Sequence, residues 1–285
     1  MKAVTIVTMK KRFIIIIPLV ITATTVGAVF ASHYIIVRAW SSKYNLTTLK
    51  EGELPPIQEA VEDNYVQLSE VNMHYVLYGH AEQSVVLVHG NRSSCNALKE
   101  LATYLANDYS VYCIDSRCHG KSSDPGALSY DLMAKDVYEF INAKGLNNPY
   151  FVGHSDGGII GIILTANYPN AVKANIACGA NSTPKGLKNN YLANCKRHKD
   201  NKYYKLMLDE PNLTKDYLSS IKTPTYIVAG EYDVIRLSDT IYLHENIPNS
   251  RIAIIKNNGH STYISKNGKL IYHLAHDYFK ELDAK

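Results

Sequence analysis

The segment Gly153-His154-Ser155-Asp156-Gly157 sets a serine in G-x-S-x-G spacing, where an apolar run (Pro149 to Val152) meets a helical pattern (Asp156 to Asn167). A serine hydroxyl is a weak nucleophile, so chemistry there needs a base to take its proton and a third group to fix that base's tautomer. The two glycines give the steric room for a turn tight enough to present Ser155 at a sheet edge. Two later segments supply the partners. Gly230-Glu231-Tyr232-Asp233 follows the apolar run Thr225 to Ala229, and Asn257-Asn258-Gly259-His260 follows the run Arg251 to Ile255. His260 is the candidate base and Asp233 the candidate acid, with Glu231 as its rival. Asp233 is preferred because the longer approach lets the turn carry it toward the histidine. Acyl transfer also needs donors aimed at the developing oxyanion. Val88-His89-Gly90-Asn91 closes another apolar run, so the backbone N–H groups of Asn91 and Asp156 are the candidate pair. Asn91 also opens an N-x-S sequon, but its place at a strand end favours the oxyanion role.

These segments must be held at the ends of strands. Short apolar runs at Ser84 to Val88, Ser110 to Ile114, Pro149 to Val152, Ala171 to Ala177, Thr225 to Ala229 and Arg251 to Ile255 alternate with helical patterns. The helical patterns cover Asn96 to Leu105, Tyr130 to Ala143, Asp156 to Asn167 and Lys269 to Leu282. Strands that are apolar on both faces imply a mostly parallel sheet of about eight strands in an α/β fold, covered by helices on both sides. Val66 to Glu70 and Met73 to Tyr78, separated by Val71-Asn72, read as an antiparallel hairpin ahead of it. In such a sheet, chemistry sits at the carboxyl ends of the strands.

The ordered set HGN at 89 to 91, DSRCHGKS at 115 to 122, GHSDGG at 153 to 158, GEYD at 230 to 233 and NNGH at 257 to 260 resembles the alpha/beta-hydrolase superfamily. The resemblance spans about residues 65 to 285 and looks most like the branch of serine hydrolases holding esterases, perhydrolases and carbon-carbon bond hydrolases. It implies nucleophile, acid and base at Ser155, Asp233 and His260, a first oxyanion residue at Asn91, and no cofactor. The chain order Ser, Asp, His is the order of that superfamily. Cys118 stands where a glycine is usual, so the backbone there must suit a residue bearing Cβ. The lid, about 181 to 222, is short for the family and implies one or two helices over a rather open site. The expected reaction is cleavage of a small-molecule or lipid ester or thioester, carboxylesterase-like, through an acyl-enzyme. A carbon-carbon bond or amide is the alternative on the same triad, and a non-catalytic ligand-binding descendant is disfavoured by the complete triad.

Composition narrows the remaining classes. The 285 residues suffice for one large domain, and a net charge of +4 without a basic face or motif gives no case for nucleic acid. Five cysteines without CxxC spacing or neighbouring histidines make a metal site unexpected. Lys10, Lys11 and Arg12 precede an uncharged stretch from Phe13 to Ala31, near the roughly 20 residues that span a bilayer. The expected organisation is a basic cytoplasmic N-terminus (1–12), a transmembrane signal-anchor (13–37), a polar tether (38–64) with Pro55-Pro56, and a catalytic domain (65–285) on the extracytoplasmic side. Secretion after cleavage near Val29-Phe30-Ala31 is the alternative. The lid is basic, with Lys185, Lys188, Lys196, Arg197, Lys199, Lys202 and Lys205 beside Tyr191, Tyr203 and Tyr204. It reads as a solvated face, with attraction of anionic lipid or acidic substrate as the sharper alternative.

Overall fold

The computed structural model describes residues 46–49 and 52–284. The basic N-terminus, the expected membrane span and the first part of the tether, up to residue 45, lie outside these residues. No helix among the described residues is long and apolar enough to cross a membrane.

The strands are β1 (Leu46–Thr47), β2 (Ala60–Gln67), β3 (Asn72–Tyr78), β4 (Ser84–Val88), β5 (Ser110–Ile114), β6 (Tyr150–His154), β7 (Ala174–Cys178), β8 (Thr225–Tyr232) and β9 (Ser250–Gly259). They form one nine-stranded sheet in the order β1-β9-β8-β7-β6-β4-β5-β3-β2. Pairing is parallel from β5 through β4, β6, β7 and β8 to β9, and antiparallel where β3 meets β5 and β2 meets β3. The helices are α1 (Lys99–Leu105), α2 (Tyr130–Ala143), α3 (Asp156–Asn167), α4 (Asn189–Arg197), α5 (Lys202–Asp209), α6 (Lys215–Ser219), α7 (Leu237–Asn246) and α8 (Gly268–Asp283).

The near-continuous apolar character of the parallel strands has its cause in two cores. Val85 and Leu87 of β4 face one core with Leu101 of α1 and Ile271 and Phe279 of α8. Val86 and Val88 face the other with Met133 of α2, Ile159 of α3 and Leu243 of α7. Successive side chains point to opposite faces, so a strand covered on both sides must be apolar throughout. Strand order reverses at β4: the chain passes through α1 to β5 on one side, then through α2 to β6 on the other. The crevice at such a switch point is where a doubly wound sheet exposes its strand ends.

Three features depart from the sequence reading. The sheet has nine strands rather than about eight, the addition being the two-residue β1. The hairpin turn lies at 68–71, closed by Leu68 N–H donating to the Val71 carbonyl at 2.8 Å, and β2 starts at Ala60 instead of Val66. Leu68 and Val71 are buried, whereas β2 is an edge strand with mostly exposed side chains, which removes the alternation that would reveal it. The segment from 181 to 222 folds into three short helices, not one or two. Pro211 and the Thr214 cap, whose hydroxyl accepts the Tyr217 N–H, divide it. Leu218 of α6 joins the main core, while Leu187, Cys195, Tyr204, Met207 and Ile235 form a small cluster of their own.

The turn between β6 and α3 depends on its glycines. A Cβ on Gly153 would lie 2.0 Å from the Gly157 carbonyl oxygen, and one on Gly157 would lie 2.1 Å from the Val88 carbonyl oxygen. Both are far inside van der Waals contact with backbone that cannot yield. Gly157→Ala should therefore force α3 off β4, costing about 3 kcal/mol or more, or roughly 6 to 12 °C in melting temperature. Thermal denaturation followed by circular dichroism measures this, and an unchanged melting temperature would contradict the packing.

Candidate active site

Ser155 sits at φ 56° and ψ −115°, a left-handed conformation for a residue with a Cβ. Such strain costs on the order of 1 to 3 kcal/mol and persists only where the surroundings enforce it. Here β6 enters the turn paired to β4 and β7, and the Ser155 N–H donates to the Cys178 carbonyl at 2.7 Å. The hydroxyl is left facing His260, with Oγ 2.9 Å from Nε2.

The other two residues are brought together by strand register. Tyr232 of β8 pairs with Gly259 of β9, so the residues that follow, Asp233 and His260, leave adjacent strand ends side by side. His260 Nδ1 lies 2.6 Å from Asp233 Oδ1. Asp233 is buried and accepts further bonds from the N–H groups of Ile235 (3.0 Å) and Gly230 (3.1 Å). Burial pushes its carboxyl up, but the His260 charge, the His260 hydrogen bond and the two amides together hold it below the usual carboxylate range. Glu231 points elsewhere and accepts the Asn257 N–H at 2.9 Å, so it shapes the loop leading to His260. Gly179, at φ +63°, leaves space for the imidazole: a Cβ there would lie 2.8 Å from His260 Cε1.

The two candidate oxyanion residues are tied to each other. Asn91 Nδ2 donates to Asp156 Oδ2 at 2.8 Å and to the Tyr203 carbonyl at 3.2 Å. Asp156 is the first residue of α3, where backbone N–H groups have no acceptor within the helix and the dipole favours negative charge. Its buried carboxyl also accepts the Tyr130 hydroxyl at 3.0 Å. Burial raises the Asp156 pKa against the lowering effect of the Asn91 and Tyr130 hydrogen bonds.

Several residues inside the segments quoted above make contacts in the site that the sequence did not indicate. His154 lies inside the GHSDGG motif, and its Nε2–H donates to the His260 carbonyl at 2.8 Å, pinning the loop that carries the base. His89 Nδ1–H donates to the Gly90 carbonyl at 2.7 Å while Nε2 accepts the Ser116 N–H at 3.2 Å, joining the turn at Asn91 to the 115–122 loop. Cys118 in that loop has φ 63°, so it occupies the left-handed conformation that a glycine would take without strain. The Tyr203 hydroxyl donates to its carbonyl, and Lys202 pairs with Asp124, so the start of α5 is fastened to this loop. Of the basic lid residues, Lys205 pairs with Asp209, while Lys196, Arg197 and Lys199 are exposed.

His74, Cys95 and Asp115 lie close enough for one ligand atom each to meet a metal ion. Their polar atoms already serve the fold. Asp115 accepts the N–H groups of Cys95 (2.6 Å) and Lys121 (2.8 Å) and faces His74 Nδ1 at 2.7 Å. Burial and the Asp115 charge push the Cys95 thiol up to about 12, which disfavours the thiolate a metal would need.

Comparison with known proteins bears on the fold that carries this site. Residues 83–194 match the family model described as alpha/beta hydrolase fold. The chain has the alpha/beta-hydrolase fold, and the matched segment is similar to that family. Among curated relatives, Esterase YbfF of Escherichia coli is 37% identical over 30% of this chain and 34% of its own length. Serine hydrolase BPHL of Mus musculus is 23% identical over 72% of this chain and 82% of its own length. The chain spans about a third to a half of the length of the first curated relatives it matches. A solved structure described as a membrane phospholipase A, a bacterial virulence factor, aligns with a TM-score of 0.65 at 16% identity, covering 96% of this chain and all of that one. At that identity the hydrolase fold is what the two share.

His154 gives the site a pH dependence. Burial first, and then the neighbouring His260, lower it from 6.5 to about 4, against the hydrogen bond to the His260 carbonyl. Its folded pKa is below its unfolded one, so the unfolded chain binds more protons between these values. The stability this neutral histidine supports is complete above pH 6.5 and is lost as pH falls toward 4, by up to about 3 kcal/mol. Chemical denaturation at pH 7.5 and pH 4.5 should show that loss in the wild type and a clearly smaller loss in His154→Gln.

Proposed function

We propose that this hydrolase cleaves carboxylic esters through a covalent acyl-enzyme on Ser155. The observation that carries the reading is the continuous chain from Ser155 Oγ to His260 Nε2 (2.9 Å) and from His260 Nδ1 to Asp233 (2.6 Å), set at a strained turn beside the start of α3. His260 Nε2 takes the Ser155 proton as Oγ attacks the acyl carbon, and Asp233 holds the imidazole in the tautomer that leaves Nε2 free to accept. The backbone N–H groups of Asn91 and Asp156 receive the oxyanion of the tetrahedral intermediate. Its collapse expels the alcohol, which leaves with the proton from Nε2. A water molecule then gives its proton to Nε2 and attacks the acyl-enzyme, and the second intermediate collapses to release the acid and restore Ser155. The named activities of relatives such as the E. coli esterase support an ester as the bond broken.

The substrate is proposed to be a small-molecule or lipid ester, with the domain held at a membrane by residues 13–37 and facing the extracytoplasmic side. The apolar run behind Lys10, Lys11 and Arg12 supports this, as does the description of the phospholipase neighbour as a membrane protein.

Two measurements test these proposals. Ser155→Ala should abolish both turnover of p-nitrophenyl esters and labelling by a fluorophosphonate probe, while Asp233→Asn should lower turnover by around 10⁴. Residual activity of more than about a hundredth in Ser155→Ala would remove Ser155 as nucleophile, and faster turnover of matched amides than esters would change the bond assigned. In cells, the full-length protein should fractionate with membranes and be reached by protease added outside. A soluble protein whose N-terminus lies near Ser32 would show cleavage and secretion instead.

A further inference from the structure

We propose that the Asp156 side chain is a positioning residue that couples the seating of lid helix α5 to the oxyanion site. The inference rests on the reading above, in which the backbone N–H groups of Asn91 and Asp156 stabilise the oxyanion. The two carboxylate oxygens of Asp156 lead to opposite ends of α5. Oδ2 accepts from Asn91 Nδ2, and the same amide nitrogen donates to the carbonyl of Tyr203, the second residue of the helix. Oδ1 accepts the Tyr130 hydroxyl, and the Tyr130 N–H donates at 2.9 Å to Oε2 of Glu210, the residue that caps the other end of the helix. Each end of α5 is thus one residue removed from the carboxylate next to the nucleophile.

The arrangement has a mechanical consequence. Asn91 uses one side-chain nitrogen to bridge the start of α3 and the start of α5, so a displaced α5 either breaks a hydrogen bond or drags the Asn91 backbone. Hydrogen bonds fail beyond about 3.5 Å, and a misplacement near 1 Å can lower a rate by about a hundredfold. Tyr130 and Asp156 are buried and well packed, so they transmit movement rather than absorb it. The start of α5 has further ties, through Arg92 over the Tyr204 ring at 4.2 Å and the Tyr203 hydroxyl on Cys118, whereas its far end reaches Asp156 through Glu210 and Tyr130. A seated lid therefore fixes both oxyanion donors, and an unseated one leaves Ser155, His260 and Asp233 in contact beside a poorly formed oxyanion site.

The test uses the full chain and p-nitrophenyl acetate, a small neutral ester that needs no lid contact to bind. Tyr130→Phe removes one hydroxyl from a buried ring, and Glu210→Ala cuts the same path at the helix end. Each should lower kcat by about tenfold with KM changed by less than about twofold. The double variant should be no slower than the worse single one, because either change alone severs the path. Glu210→Gln, which keeps an oxygen to accept the Tyr130 N–H, should restore kcat and serves if Tyr130→Phe does not fold. Multiplicative losses in the double variant, or an unchanged kcat in both singles, would overturn the coupling. Fluorophosphonate titration of the wild type separates this from failure of the ester reading. Labelling of Ser155 in every chain with multiplicative losses refutes the coupling alone, whereas no labelling refutes the reading beneath it.

Discussion

The contact on which the rest of the site depends is between two backbones: the first turn of α3 lies directly on the end of β4, with Gly157 against the Val88 carbonyl. No side chain mediates it. Because α3 starts that close to the sheet, the chain must turn within one residue, and that residue is Ser155 in its left-handed conformation. The same approach places the N-terminus of α3, with its unpaired N–H groups and partial positive charge, beside the turn at Asn91. The exposure of Ser155 and the placing of the helix N-terminus beside Asn91 thus have one steric cause.

Around that contact, several buried polar groups close loops. Arg117 is fully buried and forms two bonds with Asp136 of α2, at 2.6 and 2.7 Å, with Glu70 at 3.1 Å. Removing one partner from such a group leaves an uncompensated buried charge, so the loop at 115–122 is costly to detach from α2. His74 bridges Asp63 on the edge hairpin and Asp115 at the end of β5, each at 2.7 Å. The antiparallel hairpin is in this way fastened to the loop that the lid rests on, and the Asp63 contact with Lys121 continues the chain of bonds to the surface.

How much of this was readable in the sequence follows from how local each signal is. The parallel strands were legible because burial on both faces leaves no place for polar residues, and Ser155 because of its G-x-S-x-G spacing, although only the contact of Gly153 with Gly157 is local and Gly157 itself lies against Val88 of a distant strand. Asp233 and His260 could be placed at strand ends by counting. Their meeting, however, depends on the Tyr232 to Gly259 register, which no pattern in either segment encodes. Edge strand β2 was read too short because exposed polar side chains carry no alternation, and the third lid helix was missed because its boundaries are set by a proline and a cap rather than by apolar period. The contacts of Tyr130, Glu210 and His154 lay beyond reach: each acts through a partner many residues away, 80 in the case of Tyr130 and Glu210 and 106 in the case of His154 and His260.

The wide spacing of the site along the chain also gives its assembly an order in time. Ser155 and His260 are separated by 105 residues, and β9, which delivers the histidine, lies beside β8 at the far side of the sheet from the first hairpin. A ribosome adding about 5 to 20 residues per second needs roughly 5 to 20 s to cover that distance. Through this interval the serine turn and its flanking strands can form while the base is still unmade or inside the exit tunnel. The Ser155–His260 contact is therefore made only once the last strand docks, and a chain halted before residue 260 would display the serine without its histidine partner.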